Sequence, residues 1–245
     1  MGASLTLTVL GTSGSYPGPG QACSGYLVQA GDTTVWLDAG PGTLANLQRH
    51  IGLADIDAIV LTHAHPDHWT DVLGFHVACK WYVDLEGVPV HSPADVRRLA
   101  SAFHDELGPT LDWRDIADGV RLDIGPLAFR FSRTDHPGET LAVRIDADGR
   151  SLAYTADTGN GWSLRSLGEE LDLVLAEATL GVDQEGESQH LSARQAGAMA
   201  SEAGAARLVL THLQPGLDPD ESHAAATGTF TGAVEVAAVD ARYEV

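Results

Sequence analysis

Residues 62–68, Thr-His-Ala-His-Pro-Asp-His, carry four potential metal ligands within six positions and follow directly after the apolar run 58–61. The apolar run predicts a buried strand, so these side chains would lie on a tight loop at its carboxyl end. Imidazole nitrogen and carboxylate oxygen without thiolate suit zinc, with manganese or iron as alternatives. A solvated turn is the plain alternative, but an aspartate among three histidines has little use in packing. The loop therefore predicts a metal site formed by His63, His65, Asp67 and His68.

Three more segments with the pattern of strands end in a residue that can bind a metal. His136 comes after the segment 129–134, Asp157 after 151–156, and His212 after 207–211. Taken alone, such a residue is more often a turn former or a helix cap than a ligand. Together with the first loop, these positions bring the candidate ligands to seven, which is enough for two metal ions.

The ligand pattern resembles that of the metallo-β-lactamase superfamily, whose His-x-His-x-Asp-His signature matches residues 63–68. The resemblance covers nearly the whole chain and implies an α/β fold, a four-layer αββα sandwich formed by one domain over residues 1–245. It also implies two divalent metal ions, zinc first and manganese or iron as alternatives. By the same resemblance, one ion is held by His63, His65 and His136, the other by Asp67, His68 and His212, and Asp157 bridges them.

Two further residues narrow the branch of the superfamily. Glu177 follows the predicted strand 171–176. His190 lies just before Ser192, which with Gln195 predicts a capping box at the start of a helix. Without the resemblance, Glu177 is more consistent with a solvated strand end and His190 with a surface loop. The pair nevertheless resembles the glutamate and histidine of ribonuclease Z and its relatives, in which the histidine assists departure of the leaving group.

This resemblance implies phosphodiester hydrolysis. We expect Asp67 to orient the attacking water and take its proton, and His190, held by Glu177, to protonate the leaving alkoxide. The pattern is similar to that of compact ribonuclease Z-like cyclic-nucleotide phosphodiesterases of actinobacteria. The alternatives are a transfer RNA 3′-processing endonuclease and a carbon-centred hydrolase such as a lactonase, which does not need the pair.

The composition favours a small substrate. The net charge is −20, from 34 acidic and 14 basic residues, and no basic arm is present, so a structured nucleic acid is not expected as a partner. The ribonuclease Z enzymes that this chain resembles carry a long flexible arm for gripping RNA between the positions that match His136 and Asp157. Here only 20 residues separate the two, and predicted strands occupy them. The absence of a long apolar run predicts no membrane segment. Two cysteines in unlike contexts predict buried thiols and a cytoplasmic protein, and the sequence leaves a homodimer open.

Periodicity predicts the remaining elements. Helices are expected near 44–51, 69–82, 94–107, 193–203 and 218–226. Strands are expected near 5–10, 24–29, 33–38, 58–61, 120–124, 127–133, 140–146, 151–156, 171–176, 206–211 and 233–239. The turn-rich loop 11–20 is expected near the substrate, where its amides could face a phosphate, although a plain strand connection is equally consistent with its residues.

Overall fold

A computed structural model describes residues 4–103 and 107–245, which form two mixed sheets of seven strands each. In chain order the strands are β1 (Thr6–Gly11), β2 (Gly25–Ala30), β3 (Thr33–Ala39), β4 (Ala58–Val60), β5 (Val88–Ser92), β6 (Leu111–Asp115), β7 (Arg121–Ile124), β8 (Leu127–Arg133), β9 (Leu141–Ala147), β10 (Arg150–Tyr154), β11 (Leu173–Glu177), β12 (Arg207–Thr211), β13 (Ala233–Val236) and β14 (Arg242–Glu244). The first sheet has the order β14-β1-β2-β3-β4-β5-β6, and the second has the order β13-β12-β11-β10-β9-β8-β7.

Five α-helices are found in the described ranges, together with several short turns of 3₁₀ helix. The helices are α1 (Thr43–Leu47), α2 (Asp71–Ala78), α3 (Ala94–Phe103), α4 (Ala193–Glu202) and α5 (Pro219–Thr227). A π-helical turn, Cys79–Val83, extends α2. Over the residues that can be described, no helix has the length and apolar character needed to cross a membrane.

Each sheet buries one face against the other sheet and the opposite face against helices. Leu7 and Tyr26 of the first sheet share a core with Phe129 and Val143 of the second. On the outer side of the first sheet, Trp36 packs edge-on against Phe75 of α2. Alanines of α4 and α5 cover the second sheet. The predicted four-layer αββα sandwich of the metallo-β-lactamase type is therefore confirmed.

The predicted elements are confirmed to within a few residues, including the antiparallel neighbours β7 to β10. Asp148 and Gly149 both have positive φ angles, as the two-residue hairpin turn requires. The predicted helix 94–107 is confirmed over Ala94–Phe103, and its positions 104–106 lie outside the described residues. The predicted helix 69–82 is confirmed to within two residues, as α-helix over Asp71–Ala78 followed by the π-helical turn Cys79–Val83.

The strand directions gather the candidate residues at one end of the sandwich. β3 and β4 run parallel in the first sheet, and β10, β11 and β12 run parallel in the second. β8 shares that direction, because β9 lies antiparallel between β8 and β10. Loops that leave the carboxyl ends of these strands therefore meet over one edge of the two sheets.

Candidate metal centre

The structure brings four of the predicted ligands together in a first cluster after β4, β8 and β10. His65 Nδ1 lies 3.2 Å from His63 Nε2 and 3.1 Å from His136 Nε2. Asp157 Oδ2 completes the group, 3.5 Å from His63 Nε2 and 3.7 Å from His136 Nε2. Four donor atoms this close, three of them imidazole nitrogens, could hold one metal ion.

The other three predicted ligands form a second cluster directly beside the first. His212 Nε2 lies 3.1 Å from His68 Nε2 and 3.2 Å from Asp67 Oδ2. Asp157 contributes its second oxygen here, because Oδ1 lies 3.3 Å from His68 Nε2 and 3.4 Å from His212 Nε2. The carboxylate of Asp157 thus faces both clusters, one oxygen to each.

Asp157 provides the test of whether these residues fit a metal pair. Its side chain is 2% exposed, and Oδ1 is buried without a hydrogen-bond partner in the part of the chain that the structure describes. Burial raises the pKa of Asp157, but the charges of His212 and His68 outweigh this effect and hold the pKa well below its usual range. A buried, ionised oxygen without a hydrogen bond is stable only beside cations, so the donor set fits a dinuclear metal centre.

Three of the histidine rings are held by hydrogen bonds at Nδ1, so that Nε2 faces the centre of the site. Nδ1 of His68 donates to Asp38 Oδ2 at 2.8 Å, and Nδ1 of His136 donates to the carbonyl of Gln189 at 2.8 Å. Nδ1 of His212 donates to Thr179 Oγ1 at 2.7 Å, since that hydroxyl donates in turn to Glu177. A proton held on Nδ1 leaves the Nε2 lone pair directed at the centre, as in many metal sites.

The pKa of each histidine in the site depends on its burial and on the charge of the carboxylates beside it. Burial lowers the pKa of His63 to about 4 and that of His136 to about 4, so both rings are neutral and able to coordinate. Burial also acts to lower the pKa of His68 and His212, but the charge of Asp157 outweighs it and raises both. Metal ions would displace the protons that the carboxylates otherwise retain on these two rings.

Asp38 and Thr179, which fix His68 and His212, were not among the predicted site residues. Asp38 accepts hydrogen bonds from His68, from Tyr154 Oη at 3.0 Å and from the amide of Thr62 at 2.8 Å. One signal was present in the sequence, since Asp38 is also an aspartate near the end of an apolar strand. Thr179 gives no comparable signal, because threonine in a strand or loop is common.

Several residues at this end of the sandwich have unfavourable backbone angles. Asp38, Ala156 and His212 have φ values of 53°, 48° and 55°, in the left-handed region that non-glycine residues rarely adopt. Ala156 directly precedes Asp157, His212 is a ligand candidate, and Asp38 orients the ligand candidate His68. Such strain costs on the order of 1–3 kcal/mol per residue and typically persists at functional sites.

The loop 11–20 lies against the metal centre, but it does not offer its amides to a phosphate. The amide of Ser15 donates to Asp67 Oδ2 at 2.8 Å, and the amide of Gly14 donates to the carbonyl of Leu213. A Cβ atom at Gly14 would lie 2.5 Å from the carbonyl oxygen of His212, so only glycine fits there. The amides of residues 12, 13 and 16 also bond within the protein, so the expectation of a phosphate cradle was wrong.

His190 and Glu177 form the predicted pair. His190 Nδ1 lies 3.0 Å from Glu177 Oε1, and the Glu177 side chain is fully buried. The His190 ring lies 4.8 Å from the His136 ring and 5.8 Å from the His212 ring, between centroids. Ser192 and Gln195 form the predicted capping box at the start of α4. The start of helix α4 therefore fixes the position of His190, which lies over both clusters.

Comparisons with known proteins agree with this geometry. A family model described as a beta-lactamase superfamily domain matches residues 33–213. The probable metallo-hydrolase YhfI of Bacillus subtilis is 32% identical over 95% of this chain and 97% of its own. A crystal structure of YhfI covers 99% of this chain and 100% of its own, with a TM-score of 0.91.

Two mycobacterial proteins extend the comparison. An uncharacterized protein of Mycobacterium tuberculosis is 34% identical over 99% of this chain and 93% of its own. A ribonuclease Z of Mycobacterium bovis is 28% identical over 95% of each chain. The chain therefore belongs to the beta-lactamase superfamily and is a metallo-hydrolase of its ribonuclease Z-like branch.

Proposed function

We propose that the protein is a phosphodiesterase that binds two divalent metal ions, zinc first, and hydrolyses small phosphodiesters, with 3′,5′-cyclic nucleotides as the substrate class. His63, His65 and His136 would hold one ion, Asp67, His68 and His212 the other, and Asp157 both. When bound, such ions supply Lewis acidity that polarises phosphoryl oxygens and lowers the pKa of water. Among the described residues, Cys23 belongs to none of these groups of donor atoms.

The observation that carries the proposal is the placement of His190 over both clusters, with a buried glutamate behind it. Glu177 accepts hydrogen bonds from the amide of Thr158 at 2.7 Å, from Thr179 Oγ1 at 2.6 Å and from the amide of Leu191 at 3.2 Å. These bonds fix the carboxylate, and the carboxylate fixes the His190 ring. A carbon-centred hydrolase does not need a second proton carrier placed in this way.

The protonation of His190 suits a general acid. Burial by itself lowers the pKa of His190, but the hydrogen bond and charge of Glu177 outweigh it and raise the pKa to about 9. The hydrogen bond to Glu177 occupies Nδ1 and favours the protonated ring. Nε2 is therefore the position from which a proton passes to the departing alkoxide, while Asp67 orients the water and takes its proton.

A transfer RNA endonuclease is the second candidate, because a relative of similar length is named ribonuclease Z. The surface argues against it, since the net charge of −20 repels a polyanion. The segment between His136 and Asp157 is also filled by β9, its hairpin turn and β10. No residues remain there for an arm that could grip RNA.

Replacement of His190 tests the proposed role through the leaving group. His190→Ala should retain its metal and lose about 10²–10⁴ in turnover of a cyclic nucleotide, whose alkoxide needs a proton. The loss should be much smaller on bis(p-nitrophenyl) phosphate, whose phenolate departs without one. His223→Ala, which removes a ring of α5 that lies 3.1 Å from the carbonyl oxygen of Val234, serves as the control. Equal losses on the two substrates would show that His190 has another task.

A further inference from the structure

A polar cavity lies on the outer face of the second sheet, away from the candidate metal centre, and none of the seven candidate ligands lines it. It has a volume of about 320 Å³ and is bounded by β7, β8 and the 3₁₀ turn Leu164–Leu167. Its charged lining consists of Arg121, Arg130 and Arg165. The chain has only 13 arginines and one lysine against 34 acidic residues, so three arginines around one cavity are a marked concentration.

The strand register places arginines side by side on three neighbouring strands of the second sheet. Arg121 of β7 lies directly opposite Arg130 of β8, and Arg130 lies directly opposite Arg144 of β9. The residues on either side of each arginine are more buried and face the inter-sheet core, so the three arginines form a row on the outer face. Like charges placed directly opposite each other in a sheet are destabilising.

Nearby carboxylates neutralise only part of this charge. Asp146 accepts from Arg130 at 2.9 Å and from Arg144 at 2.8 Å, and Glu169 lies 3.4 Å from Arg165. Within the described part of the chain, the guanidinium of Arg121 has no hydrogen bond or ion pair. Three of the four arginines thus pair with two carboxylates and the fourth pairs with none in the described ranges, so an excess of positive charge faces the cavity.

The backbone of the turn at the edge of the cavity contacts one arginine of the row, Arg144. Arg144 Nη1 donates to the carbonyl of Leu167 at 3.2 Å. A Cβ atom at Gly168 would lie 2.5 Å from that nitrogen, and Gly168 has a φ of 110°, so a glycine is needed there. The turn that carries Arg165 is therefore fastened to the strand that carries Arg144.

We propose that this cavity binds a small phosphorylated anion at a site separate from the candidate metal centre. Guanidinium groups present paired N–H donors that match phosphate oxygens, and they are the side chains typically used for such ligands. The volume lies at the lower end of the range for small-molecule sites. A bound anion would also offset the repulsion along the row of arginines, which accounts for a like-charge pair that is otherwise costly.

The test is an NMR titration of the metal-loaded, ¹⁵N-labelled protein with inorganic phosphate and, separately, with adenosine 5′-monophosphate. We expect saturable shifts of the amides of Gly119, Arg121 and Gly168. Saturation by both compounds identifies the phosphate group as sufficient, whereas saturation by the nucleotide alone identifies a larger ligand, and either result supports the site. The double variant R121Q/R130Q should weaken binding at least tenfold at these amides, and shifts near the metal centre should persist.

Arg49→Gln, which alters an arginine in the turn after α1 that is paired with Asp240, is the matched control and should bind as the wild type does. Arg165→Gln changes a turn rather than a strand and provides a second probe if the double variant folds poorly. Without phosphate, the double variant should be at least as stable as the wild type, because the repulsion is removed. The absence of saturable shifts at the cavity, or equal binding by the double variant and the control, would overturn the proposal.

Discussion

Asp157 is the residue on which both halves of the metal centre depend, since one oxygen faces each cluster. We predict that the purified protein carries close to two metal equivalents and that Asp157→Ala loses one or both. Elemental analysis of the desalted proteins measures this directly, with Asp183→Ala on an exposed turn as the control. Full metal content together with full activity in Asp157→Ala would rule out a bridging role.

At the residue scale, the sequence predicted the candidate ligands, but it did not predict the residues that orient them through hydrogen bonds. The seven candidate ligands follow strands, so a simple rule about strand ends locates them. Asp38 and Thr179 act through hydrogen bonds to residues 30 and 33 positions away. Contacts of that kind depend on how the two sheets pack, which no local pattern reveals.

At the scale of elements, the loop that carries His190 is held by a polar contact between Gln189 and Asp135. Gln189 Nε2 donates to Asp135 Oδ1 at 2.8 Å, and Asp135 Oδ2 accepts from the amide of Gly161 at 3.0 Å. The carbonyl of Gln189 also accepts from His136. Three loops around the metal centre are therefore tied together through one carboxylate.

We predict that Gln189→Ala lowers kcat on a cyclic nucleotide about fivefold, which corresponds to the loss of roughly one hydrogen bond of 1 kcal/mol. KM and metal content should change little, and the loss should be smaller on bis(p-nitrophenyl) phosphate, because only the position of His190 is disturbed. Gln48→Ala, at an exposed glutamine of the first sheet's helical layer, is the control. A large rise in KM with unchanged kcat would contradict this role.

Asp172, which directly precedes β11, forms hydrogen bonds with residues at the start of β10. Its carboxylate accepts from the amide and hydroxyl of Ser151, each at 2.9 Å, and from Arg150 at 2.8 Å. Partial burial raises the pKa of Asp172, but the hydrogen bonds from Arg150 and Ser151 outweigh it, so the pKa is lowered. A lowered folded-state pKa means that this stabilisation is present above the unfolded-state pKa and disappears as the pH falls through the folded-state value.

Asp172→Ala should therefore lower the free energy of unfolding by about 1.5 kcal/mol at pH 7, a value typical of hydrogen bonds to a charged group. The difference from the wild type should shrink steadily as the pH falls from about 5 to about 3, on either side of the ordinary aspartate pKa. Urea unfolding over this pH series measures it. A difference that stays constant with pH would show that lost packing, not the carboxylate charge, is responsible.

Three strands of the first sheet, β5, β6 and β14, were not predicted. β5 contains Pro89, which weakens a strand pattern, and β6 and β14 are edge strands. β6 is mostly exposed and β14 buries only Tyr243, so both sequences are largely polar. The core strands were predictable because their apolar residues face helices or the other sheet. β6 and β14 lack that signal, and in the buried strand β5 the residue Pro89 interrupts it.

At the scale of the whole molecule, charge and compactness favour a small substrate. The chain carries 34 acidic residues, and the segment in which an RNA-gripping arm would be expected forms a short hairpin instead. Affinity for a folded RNA depends on many phosphate contacts with basic side chains, whereas a small nucleotide needs only a metal pair and a local pocket.

The most direct test of this account is the ratio of catalytic efficiencies on two substrates, measured with one metal-loaded preparation at physiological salt. We predict efficient hydrolysis of 3′,5′-cyclic AMP or cyclic GMP, with the 3′ bond cleaved and a 5′-monophosphate released, and negligible processing of precursor transfer RNA. Efficient 3′-end cleavage of the precursor transfer RNA, with both cyclic nucleotides left intact, would contradict the proposal and identify the protein as an endonuclease.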